Sequence, residues 1–77
     1  MPKTEKIEFN YSKLRGRIIE KYGTLSNFAD KLGVSLVTLS NKMNNVSAFS
    51  QDEIYACCLL LDIQDNSSYF FEPNVQK

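Results

Sequence analysis

The stretch from Thr24 to Asn45 constrains this chain more than any other. Leu25, Phe28, Ala29 and Leu32 recur at i, i+3, i+4 and i+7, which is one face of a helix. Gly33 follows directly, where a residue without Cβ can take positive φ and turn the chain. Val34, Leu39 and Met43 carry the apolar pattern into a second helix, whose polar residues fall on its other side. Thr24 and Ser35 stand where N-caps belong, and Asn45 tolerates the left-handed conformation that stops a helix. Two short helices joined this way can set the second in a DNA major groove.

The flanking pattern is also helical. Tyr11, Leu14, Ile18 and Tyr22 form one stripe, so helix 1 is expected over about 11–22, capped by Asn10 or Ser12 and ended by Gly23 in a left-handed conformation. Gly16 weakens this helix by up to ~1 kcal/mol relative to Ala and would admit a closely packed neighbour. Val46 and Phe49 read as core anchors in a loop. Ser50-Gln-Asp-Glu53 fits a capping box, opening a helix to about Leu61 with Ile54, Cys57, Cys58 and Leu61 on its stripe. Leu59 and Leu60 widen that stripe, so the helix is expected to be buried on more than one side. Asp65 to Ser68 reads as a turn or cap, and Tyr69-Phe70-Phe71 as a short fifth helix ended by Pro73. The expectation is an all-α, compact four- to five-helix bundle containing a helix-turn-helix. It forms one domain over 1–77, with an arm at 1–9, the helix-turn-helix at 24–45 and a C-terminal segment and tail at 64–77.

Length and composition agree with one small folded domain: 77 residues, of which 43% are hydrophobic, exceed what a disordered chain carries. No apolar run approaches the ~20 residues of a membrane span. The polar start Met1-Pro-Lys-Thr-Glu-Lys has no signal-peptide core, so a cytoplasmic protein is expected. The adjacent Cys57 and Cys58 point about 100° apart on a helix, which disfavours a bond between them, and they read as small core residues. With two cysteines and no histidine, no metal site or cofactor is expected.

The formal net charge is zero, but it is unevenly spread. Residues 1–49 hold eight lysines and arginines against four acids, +4; residues 50–77 hold one lysine against five acids, −4. The basic half contains the helix-turn-helix, which suggests a phosphate-facing side and an acidic far side.

Residues 11–63 resemble the lambda-repressor-like helix-turn-helix family of phage and bacterial regulators, the Cro/CI type. Ala29, Gly33 and Leu39 match the family's small residue, turn glycine and helix 3 aliphatic; Phe28, Leu32, Val34 and Ser35 match the positions around the turn. Lys42 stands where the family has an apolar residue, and Met43 is apolar instead; Arg15-Gly16-Arg17 does not align cleanly with the family's helix 1. The start Tyr-Ser-Lys-Leu-Arg-Gly-Arg, the Lys-Tyr-Gly-Thr junction, Phe-Ser-Gln-Asp-Glu-Ile and the Tyr-Phe-Phe end resemble small Cro-like phage proteins. The resemblance implies a sequence-specific transcriptional repressor in a lysis–lysogeny switch.

Carried over by position, Ser35, Leu36, Val37, Ser40 and Asn41 are candidates for base contact, Asn41 pairing with adenine and the two aliphatics meeting thymine methyls. Thr24, Asn27, Thr38, Lys42, Asn44 and Asn45 are candidates for phosphate contact, Thr24 together with the amides of the helix 2 N-terminus. The expected partners are double-stranded operator DNA, pseudo-palindromic, and a second copy of the chain at least on DNA. No membrane and no small-molecule ligand are expected. Catalysis has no support: no histidine, no glycine-rich phosphate loop and no paired carboxylates. The competing reading is a protein-binding module, an anti-repressor or partner of another regulator, with Tyr69–Phe71 as a possible patch.

Overall fold

The computed structural model describes residues 8–73. It is all-helical, with five helices: α1 Ser12–Tyr22, α2 Leu25–Leu32, α3 Leu36–Met43, α4 Gln51–Leu61 and α5 Asn66–Phe70. The single extended contact among the described residues is an antiparallel bridge between Phe9 and Pro73. No helix among them is long and apolar enough to cross a membrane.

The caps act where the sequence places them. Thr24 Oγ1 accepts from the Asn27 amide, and Ser35 Oγ from that of Thr38, both at 3.1 Å. Ser50 and Glu53 form the full capping box. Helix α1 has Tyr11 at its N-cap with no side-chain bond there; Asn10 Oδ1 accepts from the Ser12 amide instead. Gly23 does take positive φ, but its ψ of −43° lies outside the left-handed basin.

Three helices end by one device. The residue after each last turn takes positive φ, and the next amide reaches back five residues, the Schellman arrangement. At α2 this is Gly33 (φ 90°) with Val34 bonding to the Ala29 carbonyl. At α3 it is Asn45 (φ 65°) with Val46 bonding to Asn41, and at α4 Asp62 (φ 57°) with Ile63 bonding to Cys58.

The core gathers Leu14 and Ile18 of α1, Phe28 and Ala29 of α2, Leu39 and Met43 of α3, Cys57 and Leu61 of α4, then Ile63 and Phe70. Both cysteines are free. Three expectations fail here, those for Leu59, Val46 and Gly16. Leu59 is exposed, because it sits on the side of α4 opposite Cys57 and Leu61. Val46 is exposed: it closes the turn after α3 with its amide, and Phe49 alone reaches the core. Residues 1–7 of the expected arm lie outside the described residues; Phe9, at its end, is held by the Asn45 side chain, which bonds both the Phe9 amide and the Phe9 carbonyl at 3.0 Å each. Gly16 has no neighbour within 4 Å of where a Cβ would sit, so it admits no close packing. With helical φ, an exposed site and open space, Gly16→Ala is expected to stabilise the protein by about 0.5–1 kcal/mol, measured as a higher urea midpoint.

Candidate functional site

Helix α3 presents an outward face whose centre is Val37. Val37, Ser40, Asn41 and Asn44 recur at i, i+3, i+4 and i+7, and Leu36 borders them at the helix start. Leu36 and Val37 are 45% and 69% exposed, so neither is absorbed into the domain. Ser40 and Asn41 are half-buried, and Asn44 is exposed, its Nδ2 donating to Ser40 Oγ at 3.3 Å. Ser35 is exposed and occupied as cap, its hydroxyl also donating to Thr38 Oγ1 at 2.9 Å.

The candidates for phosphate contact separate into two groups. Thr24 and Asn27 are exposed at the start of α2, but Asn27 Nδ2 donates to the Tyr22 carbonyl and so closes the end of α1. Asn45 gives its amide to the clamp on Phe9. Lys42, the one cation of α3, leaves the outward face. Its ammonium pairs with Glu53 at 3.1 Å, donates to the Ala48 carbonyl at 3.0 Å, and keeps only 13% of its side-chain exposure. The backbone bond from Ser50, aided by Lys42, holds the Glu53 carboxyl below its ordinary range. Lys42 therefore ties α3 to the start of α4. The outward face of α3 carries apolar and neutral polar groups and no charge.

A cation does stand at one end of that face. A polar cleft of about 420 Å³ brings Arg15 of α1 together with Asn44, Asn10, Ser12 and Glu8. Sequence alone does not choose among the helix 1 cations, and the structure separates them. Lys13 stacks over the Tyr69 ring, 5.0 Å from its centroid. Arg17 Nε donates to the Leu61 carbonyl at 2.8 Å and its Nη1 pairs with Glu20, so it serves the end of α4. The Tyr69–Phe71 segment is not a free patch: Phe70 is buried, Tyr69 is half-buried and Phe71 alone is exposed. No group of three or more metal-ligating side chains exists among the described residues.

The chain matches, over residues 7–73, the model of a family described as "Protein of unknown function (DUF739)". It belongs to that family. No curated protein matches it. Among solved structures it is similar to the solution structure of the modulator of repression (MOR) of the temperate bacteriophage TP901-1 from Lactococcus lactis. The two share 39% identity with a TM-score of 0.69, over 82% of this chain and 88% of that one. The family shown is thus DUF739 rather than the lambda-repressor-like one that residues 11–63 resemble.

Proposed function

We propose that this protein is a modulator of phage repression that docks the outward face of α3 on another regulatory protein. One observation carries the reading: the face opens with exposed Leu36 and Val37, and its only lysine is drawn away to Glu53. Affinity for DNA comes largely from cations on phosphates, whereas an uncharged apolar centre with a polar rim is the composition of a protein interface. The similarity to a phage modulator of repression supports the same reading.

The second reading is a Cro-like, sequence-specific repressor, bound as a dimer to a pseudo-palindromic operator in a lysis–lysogeny switch. The cleft that sets Arg15 beside Asn44 favours it, because it supplies a cation and an amide at the end of α3. Ser40 and Asn41 would then read bases.

The test is to titrate labelled protein with the repressor of its phage and, separately, with operator DNA in competitor. Saturable binding to the repressor is expected, weakened at least tenfold in the Leu36→Ser, Val37→Ser double variant with an unchanged unfolding midpoint. Salt-sensitive, competitor-resistant binding to DNA would sink the first reading. In that case Asn41→Ala should cost about 1–3 kcal/mol at one base pair.

A further inference from the structure

The outer side of α4 is apolar where a helix of a small domain is ordinarily polar. Tyr55 and Leu59 lie one turn apart on it, 68% and 65% exposed. Beside them runs a cleft of about 300 Å³ between α4 and the segment that follows it. Ile54, Cys58 and Ile63 supply its apolar lining, and Gln51, Gln64 and Asn66 its polar rim. Four apolar side chains and Cys58 thus form one surface, with donors and acceptors at its edge.

Charge identifies the occupant. From Gln51 to Asn66 the chain carries Asp52, Glu53, Asp62 and Asp65 and no lysine or arginine; Arg17 of α1 reaches the end of α4, where it donates to the Leu61 and Asp62 carbonyls. Glu53 is neutralised by Lys42. Asp52, Asp62 and Asp65 are exposed and each adjoins a cleft-lining residue in the chain; Asp65 accepts from the Ser67 and Ser68 hydroxyls. Two copies meeting through α4 would bring like charges together, which opposes self-association. Apolar side chains one helical turn apart match the spacing of Tyr55 and Leu59, and helix-in-groove docking uses such anchors.

We propose that this surface takes the apolar edge of a basic amphipathic helix from another protein. The site is separate from the α3 face and does not depend on what α3 binds.

The test uses two synthetic helical peptides with leucines at the same i, i+3, i+4 and i+7 positions, one filled with lysine and one with glutamate. Each is titrated into the full chain, ¹⁵N-labelled, and followed by amide chemical shifts. The lysine peptide is expected to give saturable shifts centred on Tyr55, Cys58, Leu59, Ile63 and Gln64. Leu59→Ser and Tyr55→Ser, both at exposed positions, should each weaken it about tenfold, and Val37→Ser should leave it unchanged. The glutamate peptide should give no saturable shift. Shifts centred elsewhere, equal binding of both peptides, or unaltered affinity in both serine variants would overturn the proposal. So would concentration-dependent shifts of the same amides without peptide, which would make a second copy the occupant.

Discussion

Phe70→Ala should cost about 3–5 kcal/mol, and Phe71→Ala, one residue on, well under half of that. Phe70 is 1% exposed and packs edge-on against Phe49 at 5.3 Å, and Phe49 packs edge-on against Tyr11 at the same distance. Phe71 is exposed and meets only the Phe9 ring among aromatic partners, at 6.0 Å. Helix α5 has five residues, far fewer than a helix needs to persist by itself, so its order depends on packing, and Phe70 is its one fully buried side chain. The loss should spread. The Asn10 amide bonds to the Glu72 carbonyl just beyond α5, and Phe9 bridges to Pro73. Stability of a chain this size is roughly 4–11 kcal/mol, so Phe70→Ala removes a large share of it. Urea unfolding measures the cost, and amide exchange should show residues 8–10 losing protection together with α5. Equal costs at the two positions would mean that Phe70 is no anchor and that the aromatic segment is the surface patch its sequence suggests.

The contrast between these two residues shows where the sequence stops being informative. The unit from α2 to α3 was legible because each signal is local. Thr24, Ser35 and the Ser50–Glu53 box each satisfy amides within three residues, and Gly33 and Asn45 take the positive φ that closes off α2 and α3. Periodicity also placed Leu39 and Met43 inside. It could not rank three consecutive aromatics on a five-residue helix, because the period is not expressed over so short a span. It misjudged Leu59 because α4 is apolar nearly all round, and an apolar residue facing water looks the same in sequence as one in the core. The contacts of Lys42 with Glu53, Arg17 with Leu61 and Asn45 with Phe9 are chosen by the fold. They join residues 11, 44 and 36 positions apart. Of these, the Lys42 contact is a strut between α3 and α4 and leaves the outward face of α3 without a charge.

Raising the pH above 9 should destabilise this protein steadily, and Cys57 should carry much of the slope. Burial pushes the Cys57 thiol up from an ordinary 9.0 to about 12, with Cys58 and Glu53 adding to the shift. The folded state therefore favours the neutral thiol. Its advantage is complete below pH 9, where both states keep the proton, and is lost as pH rises from 9 toward 12, where only the unfolded chain gives it up. The slope across that window is about 1.4 kcal/mol per pH unit. Cys58 and Tyr11 are also raised by burial and act in the same direction. Glu53, held low, acts at the other end: its contribution is present above the ordinary carboxylate range and fades as pH falls through its depressed value. Urea midpoints between pH 7 and 11 measure the alkaline slope. Cys57→Ala should flatten it while lowering stability at pH 7 through the cavity left by the sulfur; an unchanged slope would assign it to other groups. A thiol kept neutral in this way is a poor nucleophile. Cys57 should therefore react with an aromatic disulfide reagent only as fast as the protein opens, while the half-buried Cys58 reacts sooner.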